Sequence, residues 1–160
     1  MRNICKNCGA ELIGKYCHKC SQENKDLPKF MDFMNESLGN ILEFDFKVIR
    51  SLKLLILKPG LLTLEYWEGK TIRQTKPLRL LTFALLFMIL LSSLVDFFSN
   101  TKIENSSLVG KYLSFILLPV YAILLKFIFR KRKQLHFTHF FIFSIHWTAG
   151  VAIIGTPFLF

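Results

Sequence analysis

The sequence predicts an all-α membrane protein: a four-cysteine zinc knuckle at the amino terminus, then amphipathic interfacial helices, then three transmembrane helices. Three observations predict it. Of 160 residues, 52% are hydrophobic and the mean hydropathy is +0.39, more apolar than an ordinary soluble domain. The excess lies in the back half, because Met1 to Arg79 holds 14 of the 21 Lys+Arg and 9 of the 11 Asp+Glu. All four cysteines fall within the first twenty residues, which makes them a unit and not scattered core thiols.

Residues 1–22 form the knuckle. Cys5-Lys6-Asn7-Cys8 and Cys17-His18-Lys19-Cys20 are two C-x2-C pairs separated by eight residues. Such pairs turn tightly and bring four thiolates around one tetrahedral ion, so Cys5, Cys8, Cys17 and Cys20 are the expected ligands of a structural Zn²⁺. Gly9 suits a turn whose amides point back at sulfur. Four thiolates on Zn²⁺ carry a net charge of about −2, and Lys6, Lys15 and Lys19 stand where they offset it. So short a module cannot bury a sufficient core, and the metal supplies its folding energy. Disulfides would need an oxidising compartment. A dithiol redox pair normally sits at a strand-to-helix junction, which is absent here. His18 is unnecessary as a ligand.

Residues 23–29 read as a charged linker closed by Pro28, and residues 30–77 as an amphipathic helical connector. Leu38, Ile41, Leu42, Ile49, Leu52 and Leu55 or Ile56 recur at helical spacing, with Glu43, Lys47, Arg50 and Lys53 mostly opposite. Lys58-Pro59-Gly60 stops the run. Too short to cross a bilayer, it is expected to lie in the interface or to pack on the spans. Tyr66 and Trp67 suit the headgroup level.

Residues 78–160 form the transmembrane region, with spans at about 78–98, 108–129 and 137–160, each close to the twenty residues that cross a hydrocarbon core of about 30 Å. Pro119 predicts a kink in the second span. Lys111 and Lys126 lie near its ends, where long side chains snorkel, and Asp96 stands where it would meet Lys111. The apolar carboxyl end suggests that the chain is cut short. Basic residues in the amino-terminal half and in Arg130-Lys131-Arg132-Lys133 place the amino terminus and the second loop in the cytoplasm. The polar, cysteine-bearing start is not a cleavable signal. The charge of +10 clusters beside the apolar runs, which favours anionic lipid over nucleic acid.

His136, His139 and His146 fall within roughly 80° of one another on a helix, with His146 about 15 Å below His136. His139 and His146 are therefore a candidate intramembrane polar site, as metal or haem ligands or proton carriers. Against that stands a neutral imidazole hydrogen-bonded to a neighbouring helix. No phosphate-cradling loop, nucleophile elbow or catalytic carboxylate pair is present, so the sequence does not point to an enzyme.

Cys5-x2-Cys8-Gly9 and Gly14-Lys15-Tyr16-Cys17-x2-Cys20-Ser21-Gln22, followed by Leu55-x3-Pro59-Gly60, Tyr66-x2-Gly69-Lys70, Lys76-Pro77 and His139-Phe140-Phe141-Ile142-Phe143-Ser144-Ile145-His146, resemble the bacterial domain-of-unknown-function family 3667. The resemblance implies a cytoplasmic metal knuckle, a connector and several spans in the bacterial cytoplasmic (inner) membrane, in chains longer than this one. It implies no activity. The expected function is an adaptor or regulatory protein whose knuckle and amphipathic helices bind a cytoplasmic or membrane protein partner, with the lipid bilayer as the other partner and no nucleic acid. The alternative is a transport or redox component using His139 and His146.

Overall fold

The computed structural model describes residues 4–39, 46–99, 113, 115–132 and 134–155. Among them are six α-helices: α1 Phe30–Leu38, α2 Lys47–Leu57, α3 Pro59–Trp67, α4 Pro77–Ser99, α5 Leu118–Ile128 and α6 Phe137–Gly155. Extended pairing among these residues is limited to two isolated antiparallel bridges in the knuckle, Ile4 with Glu11 and Tyr16 with Glu23.

Two helices are long and apolar enough to cross a membrane, over Pro77–Val95 and Phe137–Gly155. They match the first expected span and most of the third. Three complete spans are not shown. Of the second, Leu113, Phe115 and Ile116 are helical ahead of an 11-residue helix, and residues 100–112 and 114 lie outside the described residues, as do 156–160. The pairing expected between Asp96 and Lys111 also falls outside what is described. The break expected at Pro119 is present: Leu117 is a turn, and α5 opens with this proline in its first turn, where a missing N–H is harmless.

The central helix is α6. The start of α4 and the start of α6 are both tied to the α1 region, by Lys76 Nζ to the Glu36 carbonyl at 2.7 Å and by Thr138 Oγ1 to the Pro28 carbonyl at 3.2 Å. The two helices therefore begin at the same end. α5 ends where α6 begins, with the Phe129 and Phe140 rings stacked at 6.2 Å and Lys126 Nζ over the Phe137 ring at 5.8 Å. Phe30 meets Phe137 and Phe141 edge-on at 5.0 and 5.1 Å, which docks α1 across this end. Hydroxyls within the apolar helices bond back one turn, as Ser144 does to the Phe140 carbonyl and Thr82 to the Leu78 carbonyl, so these two hydroxyls are not stranded.

The connector is two short helices folded on the long ones. α2 and α3 meet at Lys58, whose φ of −148° breaks the helix, and Pro59 starts α3 at the position where proline is tolerated. Leu55 and Leu62 pack with Leu80, Ala84, Met88, Ala149 and Ala152. α3 ends in a Schellman turn: Gly69 takes φ +81°, its N–H reaches the Tyr66 carbonyl, and the Lys70 N–H reaches the Glu65 carbonyl.

The stripe predicted for α2 holds in part. Leu55 is buried and Leu52 packs beside it, but Ile49 is 60% exposed and Leu38, on α1, 54%, while Val48 and Ser51 complete the inward face; Ile41 and Leu42 lie outside the described residues. The buried face pivots on Ser51, whose Oγ accepts the buried Thr75 N–H at 2.9 Å. That backbone donor precedes α4 and has no helical partner, so a hydroxyl serves there better than an aliphatic side chain.

Candidate functional site

The knuckle is built twice on one plan. In the first half the Gly9 N–H bonds the Cys5 carbonyl at 2.9 Å and the Cys5 N–H bonds the Ala10 carbonyl at 2.8 Å. In the second half the Ser21 N–H bonds the Cys17 carbonyl at 2.8 Å and the Cys17 N–H bonds the Gln22 carbonyl at 2.9 Å. Both turns need a left-handed residue at the same place: Gly9 has φ +74° and Ser21 has φ +58°. Glycine adopts that conformation freely, and serine at some expense.

These turns bring the four sulfurs within 4.8 Å of one another. Cys5 Sγ lies 3.6 Å from Cys20 Sγ, and Cys8 Sγ 3.5 Å from Cys17 Sγ. All four cysteines are free. A tetrahedral ion with metal–sulfur bonds of about 2.3 Å spaces its sulfurs by roughly 3.8 Å, so the set fits a metal ion. Its surroundings fit as well. The Ala10 N–H is directed to Cys8, the Gln22 N–H to Cys20, and the Lys19 and Cys20 N–H groups to Cys17, the donor pattern that steadies thiolates. Asn7 Nδ2 is buried and makes no hydrogen bond of ordinary length. Its pull, with that of the Gln22 N–H, lowers the Cys20 thiol to about 6, whereas Cys8, against the pull of the Ala10 N–H, is pushed up to about 12 by burial and the neighbouring sulfurs. Lys6 and Lys15, expected to offset thiolate charge, instead pair with Asp26 and Glu23.

The module is not a free knob. Gln22 is buried, at 5% exposure. Its Nε2 donates to Thr71 Oγ1 at 3.1 Å and its Oε1 accepts the Ile72 N–H at 2.9 Å. The Lys6 stem lies against the turn at Gly69, where an added Cβ would come within 3.1 Å of Lys6 Cδ. Residues 23–29 contribute to the docking: Lys25 reaches Glu36 at 2.7 Å, and Pro28 receives Thr138. Pairs such as Lys6–Asp26 are exposed and add little, so Gln22 dominates. Sequence reasoning named Gln22 only as part of a motif. The clue to its role was a polar amide two residues after the last ligand, where a surface knob would have no use for one.

The two candidate histidines are separated along α6 and do different things. The His139 ring accepts the His136 N–H at 3.1 Å on Nδ1, closing the amino end of α6 as the third residue of a capping box does. It also stands edge-on to Trp67 at 5.5 Å, while Trp67 Nε1 donates to the His139 carbonyl at 3.1 Å. His146 is buried and shares a 2.8 Å hydrogen bond between its Nδ1 and Thr63 Oγ1 on α3, with the Tyr66 ring 6.2 Å away. Both have a structural task, and neither belongs to a metal cluster among the described residues.

Replacing Thr63 with valine leaves the His146 nitrogen without its partner and is expected to lower stability by about 1 kcal/mol. Adding His146→Leu in that background removes the stranded group, so the double variant is expected to melt above the sum of the single losses. A double-mutant cycle by thermal melting in detergent measures the coupling. Additive losses would show that the bond carries no energy.

The knuckle gives a second expectation. Ser21→Gly relieves the left-handed strain and Gly9→Ala introduces it, each by about 1 kcal/mol. Folding and metal binding share one free energy in such modules, so chelator competition should show metal held roughly fivefold tighter in the first variant and fivefold weaker in the second. A shift of the same sign in both would contradict the shared geometry.

No curated protein and no solved structure matches this chain. Residues 45–89, which include α2, α3 and the first half of α4, match the model of the family described as a protein of unknown function (DUF3667), the same family that the knuckle and connector motifs resemble.

Proposed function

We propose that the protein is a membrane-anchored regulatory adaptor of the bacterial cytoplasmic membrane, holding a structural zinc knuckle on the cytoplasmic side for recognition by a protein partner. Zinc suits a closed set of four thiolates, which leaves no open position for catalysis and needs no redox change. The cytoplasmic side follows from the positive-inside rule applied to the basic residues around α4 and between α5 and α6.

The observation that carries the reading is the two-sided character of the knuckle. One side is fixed to the bundle through Gln22. Among the described residues the knuckle also carries exposed apolar side chains: Ile13 is 90% exposed, Ile4 54%, and Tyr16, which lines the cavity beside the bundle, 57%. Single exposed apolar residues are ordinary, but three on a module of about twenty residues is a high density, and aromatic and aliphatic anchors of this kind are what protein partners bury.

The full chain, purified in detergent, is expected to carry one zinc per chain by elemental analysis, and iron in its place would overturn the zinc assignment. A photo-crosslinking amino acid at position 13 in living cells is expected to yield a discrete protein adduct, lost when Tyr16 is changed to serine with zinc content unaltered. The same probe on the exposed face of α5, at position 124, serves as control. Adducts that are absent, or equal at both positions, would remove the adaptor reading.

A further inference from the structure

Between the knuckle, α1, α3 and the start of α4 lies a cavity of about 470 Å³, within the range of small-ligand sites. We propose that it binds a phosphate-bearing headgroup with an adjacent hydroxyl, of the phosphoglycerol type. This inference does not depend on the adaptor reading.

Two side chains in its wall have polar atoms that are buried and unused. Thr75 is 2% exposed and Gln74 is 4% exposed, and Thr75 Oγ1 and Gln74 Oε1 have no hydrogen-bond partner. Each residue is otherwise well held, since the Thr75 N–H bonds Ser51 Oγ and Gln74 Nε2 bonds a Glu65 carboxylate oxygen. Buried polar atoms are nearly always paired, and stranding them is unfavourable. Two such atoms in one cavity wall call for a ligand.

The charge of the wall says which kind. Lys25, Lys47, Lys76 and Arg79 line it, against Glu23, Asp26 and Glu36. Lys25 pairs with Glu23 and Glu36, Asp26 with Lys6 and Glu23 also with Lys15, and by formal count the four bases of the lining exceed its three acids by one. The 23-residue α4 begins at Pro77, directly after this wall, and its amino end adds positive potential. An anion is favoured, and the Thr75 hydroxyl can donate to one of its oxygens. Gln74 Oε1 can only accept, so the ligand must bring an O–H or N–H of its own. A phosphate with a neighbouring hydroxyl supplies both, and Leu27, Pro28 and Phe33 in the same wall suit the carbons between them. The headgroup of phosphatidylglycerol and free glycerol phosphate share this chemistry.

The test uses the full chain in lipid-free detergent and native mass spectrometry, with phosphatidylglycerol, phosphatidylcholine, glycerol 3-phosphate and inorganic phosphate as probes. Phosphatidylglycerol is expected to bind at least tenfold tighter than phosphatidylcholine. Thr75→Val should weaken it at least fivefold without lowering the melting temperature of the unliganded protein, because it removes an unpaired buried hydroxyl. Lys76→Gln, which keeps a donor for the Glu36 carbonyl, should weaken it as well and stands as the second variant should Thr75→Val fail to fold. Preference for the lipid over glycerol phosphate identifies a membrane source, and equal binding of the two identifies a soluble one. Equal binding of the two lipids, inorganic phosphate binding as tightly as glycerol phosphate, or affinities unmoved in both variants would overturn the proposal.

Discussion

Gln22 joins a module with almost no core of its own to a bundle that packs without it. The knuckle buries little beyond Cys5, Leu12 and Cys17, too few groups to offset the ordering of its backbone. Gln22 works on both sides of the junction. Its carbonyl accepts the Cys17 N–H and closes the second turn, its N–H is directed to the Cys20 sulfur, and its side-chain amide is spent on Thr71 and Ile72. A residue so placed cannot keep its external bonds if the turn around it melts. The position of the knuckle over the helices is therefore only as fixed as the fold around its sulfurs.

Much of this was legible in the sequence, and what was not has a common cause. The cysteine spacing announced the four-sulfur cluster, because two tight turns converge in few ways. The long apolar runs announced α4 and α6, since length and composition suffice to mark them. Lys58-Pro59-Gly60 announced the break between α2 and α3. The inward face of α2 was legible at Leu52 and Leu55 but not at Ser51, whose hydroxyl receives a backbone donor 24 residues away. Gln22 with Thr71, Thr63 with His146 and Lys76 with Glu36 were invisible for the same reason: side-chain hydrogen bonds between distant segments leave no period in the sequence.

The histidines illustrate how packing assigns a polar residue its task. Three contacts mark the course of the connector along α6: Trp67 meets His139, Thr63 meets His146, and Leu55 lies within 3.7 Å of where a side chain on Gly150 would begin. At about 1.5 Å per residue, the last is some 20 Å from the start of α6. The connector expected to lie in the interface or to pack on the spans does the latter, folding out and back against the central helix with its proline-glycine break at the distal end. A hydroxyl on such a hairpin is the partner that a neutral imidazole needs where water is scarce. The depth that made His146 look functional is the same depth that requires Thr63.

The knuckle and the proposed ligand site share a wall, so any ligand bound there and any metal held by the sulfurs would be linked. Tyr16, Ser21 and Gln22 line the cavity from the metal side, while Gln74, Thr75 and Arg79 line it from the segment matched by the family model. An ion that orders the second cysteine turn also orders that wall. A ligand that needs the wall in place must then favour the metal-loaded fold, and by linkage the metal must favour the ligand by the same factor. Thr75 and Gln74, whose buried polar atoms are left unpaired, stand in the lining across from the second cysteine turn. Gln22 is the residue the two share, since its carbonyl closes the second cysteine turn and its side chain lines the cavity.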